Sequence, residues 1–232
     1  MVWEQEELLL SVENLLKSFG FKVSKYRNLC FDIAAVRRAR DFGTLLIKVL
    51  TNIDSFTFNQ AENLKRISSA LSCFACMVGV KTRYETLKDN IIYTRFDVPA
   101  FTLKTLRSLI AFNPPKIIRT RGGLFAEIDP AKLKKARIQK RLSQRRLAEL
   151  VGTTKKNIYE HERFRKLARK KLIERLEAVL EADIKSEPQF SPEPVAENER
   201  FASEFARIIN YFRRLGFSAT SVSCAPFDII AT

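Results

Sequence analysis

The chain has 232 residues, enough for one large domain or two small ones with linkers, and carries 41 Lys+Arg against 26 Asp+Glu, a formal net charge of +15. That excess disfavours a basic partner and points to a polyanionic one. No run of eighteen apolar residues occurs and the acidic start Met1-Val-Trp-Glu-Gln-Glu-Glu lacks a basic leader, so no membrane span, signal peptide or membrane partner is expected.

Glu4 to Phe19 reads as an amphipathic helix, with Leu8, Leu9, Val12, Leu15, Leu16 and Phe19 on one face and Gly20 as its stop. Strands are predicted over Phe21 to Lys25, Leu29 to Val36 and Leu45 to Leu50, the last apolar on both sides and therefore central in a sheet. A helix over Thr57 to Ala70, strands over Cys73 to Val80 and Ile91 to Thr94, and a helix over Thr102 to Ile110 complete an α/β domain over residues 1–112. The cysteines are Cys30, Cys73, Cys76 and Cys224, with one CxxC and no second pair, and His161 is the only histidine. A zinc site needs about four ligands, so no metal and no cofactor is expected; reduced thiols in a cytoplasmic protein are.

This order of elements, with Asp32 in one strand and Lys48 in the next, resembles the restriction-endonuclease-like PD-(D/E)xK fold. The resemblance implies a metal held by a carboxylate from each strand and a lysine acting on water or phosphate. Asp32 matches the first acid and Lys48 the lysine. The second acid would stand two residues before the lysine, where this chain has Leu46. Without that carboxylate much of the charge needed to hold magnesium is missing. The domain is therefore read as degenerate and not as an enzyme, with Asp32 and Lys48 as a remnant; a purely structural ion pair is the other reading of the two.

Pro114-Pro115 marks a boundary, and residues 113–128 read as a β-hairpin connector around Gly122-Gly123. Asp129-Pro130 opens a helix with Asp as N-cap and Pro at its first position. Ser143 is a further N-cap, Leu147, Ala148 and Val151 follow at helical spacing, and Gly152 ends that helix. Thr153 or Thr154 caps the next helix, anchored inward by Ile158. Two short helices joined by a tight glycine turn make a helix-turn-helix. Residues 113–185 hold 21 Lys+Arg and 9 Asp+Glu, a net of +12, which concentrates the polyphosphate-binding charge on this motif.

Gln144, Leu147, Ala148, Val151, Gly152, Thr153, Thr154, Ile158 and Glu162 stand where the lambda-repressor/Cro-type helix-turn-helix family places its usual residues. Leu133, Ala136 and Arg137 fit a preceding helix, and Leu172, Leu176 and Leu180 a closing one. The resemblance implies a five-helix Cro/C1-type domain over 129–185. Phe164 departs from the family, which has a glycine there, and puts the following loop in question.

Residues 186–199, with Pro188, Pro192 and Pro194, read as an extended linker. Residues 200–232 then repeat the start of the chain. Phe19-Gly20-Phe21 corresponds to Leu215-Gly216-Phe217, and Phe31-Asp32-Ile33-Ala34-Ala35 to Phe227-Asp228-Ile229-Ile230-Ala231. Phe201, Phe205, Ile208, Ile209 and Phe212 make the apolar face of the preceding helix. One helix and two short strands bury too little to stand alone, so the copy docks on the first domain, pairs with a second molecule, or belongs to a longer protein.

Taken together, the chain resembles archaeal HTH-type transcriptional regulators that combine a Cro-type helix-turn-helix with a degenerate endonuclease-like domain. The fold class expected is α/β plus all-α. The resemblance implies a sequence-specific regulator that binds double-stranded DNA as a homodimer, with the second helix of the motif in the major groove. Thr154, Lys155, Lys156 and Glu160 would face the bases, Gln144 and Asn157 would meet phosphate, and Arg145, Arg163, Arg165 and Lys166 would add affinity for the backbone. A helix-turn-helix-targeted DNA endonuclease and a Cro-type bridging coactivator are the alternatives.

Overall fold

The computed structural model describes residues 4–37, 43–188 and 199–232. In chain order the helices are α1 (Gln5–Ser18), α2 (Phe58–Ala70), α3 (Leu103–Ile110), α4 (Pro130–Gln139), α5 (Gln144–Val151), α6 (Lys155–Arg163), α7 (Lys170–Leu180) and α8 (Glu199–Arg214). The strands are β1 (Lys22–Lys25), β2 (Ile33–Val36), β3 (Thr44–Asn52), β4 (Phe74–Lys81), β5 (Ile91–Arg95), β6 (Val98–Phe101), β7 (Ile117–Thr120), β8 (Gly123–Ile128), β9 (Lys166–Arg169), β10 (Ala219–Ser221) and β11 (Ile229–Ala231). The chain forms two compact units, one of Met1–Asp89, Thr94–Phe112 and Phe190–Thr232, the other of Asn90–Tyr93 and Asn113–Gln189.

In the first unit the sheet runs β1-β2-β3-β4-β6. β3 is central because Leu45, Leu46, Ile47 and Val49 are apolar on both faces and all buried. It pairs antiparallel with β2, Ile33 opposite Ile47, and parallel with β4, Ile47 opposite Cys76. α1 packs on β3 and buries Leu8, Val12 and Leu16, spaced four apart on one face. α2 opens with a capping box between Thr57 and Gln60 and sends Ala61, Leu64 and Ile67 inward. Each fully buried Leu, Ile or Phe contributes roughly 1.5–3 kcal/mol relative to exposure. β2 begins at Ile33, so Asp32 lies just ahead of the strand and not inside it. β6 is an addition to the expected strands; its pairing with β4 runs through Ala100 and Phe101, beyond Pro99.

α8, β10 and β11 belong to this same unit. β10 and β11 form a two-stranded antiparallel sheet. The loop between them is fastened to the N-terminal part: Cys30 N–H donates to the Cys224 carbonyl (2.8 Å), and Ser223 N–H donates to Asn63 Oδ1 (2.7 Å). The linker expected over 186–199 falls mostly on 189–198, outside the described residues, as does the side chain of Phe201.

In the second unit β7, β8 and β9 form an antiparallel run beside β5, with four helices, α4 to α7. This corrects the expected all-α part: among the described residues there is no five-helix Cro-type domain, and the fold is mixed α/β throughout. The physical reason lies after α6. Phe164, at φ −129° and ψ 141°, is extended where a glycine would have let the chain turn. The chain therefore continues as β9 and completes the edge of β8, Phe125 opposite Arg169 and Ile128 opposite Lys166. Ala126, Ile128 and Ala168 of the sheet share one core with Leu133, Ala136, Leu147, Val151, Ile158, Ile173 and Leu176 of the helices. No described helix is long and apolar enough to cross a membrane.

Candidate nucleic-acid interface

The site is built by local rules at the start and end of each helix. Asp129 Oδ1 accepts from Ala131 N–H (2.9 Å) and Lys132 N–H (3.0 Å), opening α4. Ser143 Oγ accepts from Arg146 N–H (3.1 Å), opening α5. Gly152 closes α5 at φ 67°, ψ 46°, a left-handed conformation that would strain any residue with a Cβ. Thr154 Oγ1 then accepts from Asn157 N–H (3.1 Å), opening α6 only four residues after α5 ends. Leu147, Ala148, Val151 and Ile158 lock the two helices into the core of the unit.

A polar clamp fixes the tilt. The Arg137 guanidinium on α4 donates to both carboxylate oxygens of Glu162 at the end of α6, and its Nη1 donates to the Leu142 carbonyl (2.7 Å). Gln144 Nε2, at the start of α5, donates to Glu162 Oε2 (2.7 Å). Burial pushes the Glu162 carboxyl up, but the Arg137 guanidinium and the Gln144 amide outweigh it and hold it below the usual range. One carboxylate thus joins three helices. Gln144, expected at phosphate, spends an amide hydrogen inside this clamp. His161 is buried beside it, and burial lowers its pKa.

Lys155 and Lys156 occupy the first turn of α6. Both are exposed, and neither is held by a hydrogen bond or ion pair among the described residues. No acidic residue accompanies them in that turn, so two cations sit at the positive end of the helix dipole, each costing roughly 0.3–1 kcal/mol. Thr154 faces solvent with its hydroxyl engaged as a cap, and Asn157 Nδ2 donates to Thr153 Oγ1 (2.8 Å). Glu160 pairs with Lys166 (2.7 Å), which holds its carboxyl below the usual range. Arg163 donates to the Tyr159 hydroxyl (2.8 Å) and lies over the Phe164 ring. Arg165 stands 3.8 Å from Glu127, and Arg145 pairs with Glu149 (3.1 Å). These pairs lie at the surface, where an ion pair contributes little to stability. Nothing local in the sequence signals the α4–α6 clamp, because Arg137 and Glu162 lie 25 residues apart.

The second place marked by the sequence is Asp32 with Lys48. Both are buried, and Lys48 Nζ lies 2.9 Å from Asp32 Oδ1 and 2.8 Å from the Leu29 carbonyl. Asp32 Oδ2 accepts from Val49 N–H (2.7 Å). Leu46, two residues before the lysine, is buried and apolar. A divalent cation asks for several oxygen ligands. Here one carboxylate has both oxygens engaged, and the described residues contain no cluster of three His, Cys, Asp or Glu able to hold a metal. The residues present do not fit a nuclease metal. Cys224, brought over by the C-terminal copy, has its thiol pKa lowered by the Cys30 thiol and by Lys48, while that of Cys30 is pushed up. Burial pushes Cys73 up to about 11.

Residues 5–115 match the model of the PD-(D/E)XK superfamily domain. The chain is 33% identical over 241 residues to the "Putative HTH-type transcriptional regulatory protein" of Pyrococcus furiosus, covering 98% of this chain and 73% of that protein. It is 34% identical over 242 residues to the protein of the same name in Pyrococcus horikoshii, again covering 98% and 73%. The match to that of Methanocaldococcus jannaschii is 32% over 237 residues, covering 100% and 74%. No solved structure matches the chain.

Proposed function

The chain belongs to the family of archaeal HTH-type transcriptional regulatory proteins, and from that premise we propose that it is a sequence-specific regulator reading double-stranded DNA with α6 in the major groove. The observation that carries this reading is the pair Lys155 and Lys156, exposed at the positive end of a short, rigidly held helix whose first turn holds no acidic residue. A stability-optimal sequence would place acids there. The cost is offset when phosphates and guanine edges meet that end. Lys155 and Lys156 donate to guanine O6 and N7, and Glu160, once released from Lys166, accepts from cytosine N4. Thr154 and Asn157 contribute from the same turn. Gln144, Arg145, Arg163, Arg165 and Lys166 serve the phosphate backbone. A homodimer on half-sites about one helical turn apart supplies the length of sequence read.

In this reading the first unit is not an enzyme, because Lys48 neutralises Asp32 and Leu46 supplies no carboxylate. The match to the PD-(D/E)XK superfamily favours one rival, a DNA endonuclease directed by the helix-turn-helix. Selection of bound duplexes from a random pool with the purified chain, followed by incubation with magnesium or manganese, separates the two. A defined site recovered uncut supports the regulator; metal-dependent cleavage supports the nuclease.

A further inference from the structure

Two matching loops meet in the first unit. Tyr26 N–H donates to the Asp32 carbonyl (2.8 Å) and closes the loop that leads into β2. Val222 N–H donates to the Asp228 carbonyl (2.9 Å) and closes its counterpart, which leads into β11. Each loop brings one cysteine, Cys30 and Cys224, and the loops are joined at those residues: Cys30 N–H donates to the Cys224 carbonyl (2.8 Å). Beside this bond Ser223 N–H donates to Asn63 Oδ1 (2.7 Å), and the Asn63 amide is fixed in turn by donating to the Asn59 carbonyl (2.9 Å). A backbone bond of that length brings two Cα atoms into the range that a disulfide spans.

The two thiols have different surroundings. Cys30 is 0% exposed, whereas Cys224 is half-buried and within reach of a small molecule. Lys48 adds positive charge at the contact, its ammonium held 2.8 Å from the Leu29 carbonyl, one residue before Cys30. The Cys30 thiol, and after it Lys48, lower the pKa of Cys224, while that of Cys30 is pushed up. An accessible, readily ionised thiol beside a buried one is the arrangement of an attacking and a resolving cysteine. Cys73 and Cys76 lack the accessible member: both are buried, and burial pushes their pKa values up.

We propose that Cys224 and Cys30 form a thiol–disulfide exchange site whose substrate is a small-molecule disulfide, and that its oxidised form clasps the C-terminal copy to the N-terminal part of the first unit. The Cys224 thiolate attacks one sulfur of the small disulfide. That S–S bond breaks, a mixed disulfide forms on Cys224, and one thiolate departs. The Cys30 thiol gives its proton to solvent and attacks Cys224 Sγ, expelling the second thiolate. Two electrons pass from the protein thiols to the small disulfide, and the two protons lost by the protein end on the departing thiolates. A two-stranded sheet is marginally stable by itself, so the link suppresses the opening of β10 and β11 away from the loop before β2.

No DNA enters the test, so this proposal and the regulator reading fail separately. The full chain is incubated with oxidised glutathione, quenched with acid at intervals, alkylated and mapped without reduction. The glutathione adduct should appear first on Cys224 and give way to a Cys30–Cys224 link, with two of the four thiols lost and Cys73 and Cys76 still free. Cys30→Ala should stop at the Cys224 adduct, and Cys224→Ser should leave Cys30 unreacted. In the unaltered chain, amide exchange over Ala219–Ser221 and Ile229–Ala231 should slow on oxidation and recover when a dithiol reductant is added. A first adduct on Cys30, an adduct on Cys224 that persists without the link, a link between Cys73 and Cys76, or four thiols left intact overturns the exchange site. Exchange at β10 and β11 that is the same in both redox states overturns the clasp.

Discussion

Arg137 on α4 grips both oxygens of Glu162 on α6 while Gln144 on α5 donates to the same carboxylate. The guanidinium and carboxylate are largely shielded from water, so removing one partner alone is expensive. Its consequence for function is geometric, because the angle at which α6 leaves the unit is set by this contact and by Ile158 beneath it.

Arg137→Ala leaves Glu162 charged and half-buried without its main partner. Urea unfolding should show a loss on the order of 3 kcal/mol, and Arg137→Met combined with Glu162→Leu should recover most of it. Glu162 has a folded pKa below its unfolded value, so its contribution is present above about 4.3 and is lost as pH falls through the lower folded value. The acid limb of stability should therefore flatten in the double variant.

His161 gives the same partition of protons at a higher pH. Burial lowers its folded pKa, so below about 6.5 the unfolded chain binds a proton that the folded one refuses. Melting temperature should fall as pH drops from about 6.5 towards the lower folded pKa. His161→Leu should remove that slope, read by calorimetry on both proteins across the same pH series.

Lys155→Ala and Lys156→Ala should each weaken the preferred duplex by on the order of 1–3 kcal/mol and relax its sequence preference. Their effect on stability should have the opposite sign, a gain of a few tenths of a kcal/mol from relieving the helix dipole. Gel shifts and thermal melts on the same preparations would show a site tuned for binding at the expense of folding.

Lys48→Met strands the buried Asp32 carboxylate and should destabilise the first unit by on the order of 3 kcal/mol, while Asp32→Asn with Lys48→Met costs less. Binding of DNA at temperatures where the chain stays folded should be unchanged. A metal-dependent nuclease would show the reverse pattern, lost cleavage in both variants.

A mild oxidant should join Cys30 to Cys224 within one chain. Their backbones share a 2.8 Å hydrogen bond, which brings the two Cα atoms into the range a disulfide spans, and the Cys224 thiol is the more readily ionised. Peptide mapping without reduction should find this link, whereas Cys73 and Cys76, buried and protonated, should stay free.

What the sequence made legible is what short-range chemistry decides. Ser143, Gly152 and Thr154 mark the ends of α5 and α6 because caps act over three or four residues. The apolar run at β3 and the spacing of Leu8, Val12 and Leu16 place a central strand and its covering helix. The matched glycines and aspartates led to the C-terminal copy because repetition needs no knowledge of packing. What escaped was decided at long range. β9 exists because the β8 edge was there to receive Lys166 to Arg169, and nothing local in that stretch says strand. The expected fifth helix failed for the same reason. Lys48 was assignable to a remnant site, but the Leu29 carbonyl and Val49 amide that engage the ion pair depend on how the loop before β2 lies.

The central claim, that α6 reads base pairs, is tested most directly by amide chemical shifts of the full chain on titration with a duplex selected from a random pool. The account predicts the largest changes over Thr154 to Glu160, with matching losses when Lys155 and Lys156 are replaced. Shifts confined to residues outside α5 and α6, with the amides of Thr154 to Glu160 unmoved at saturation, would contradict it.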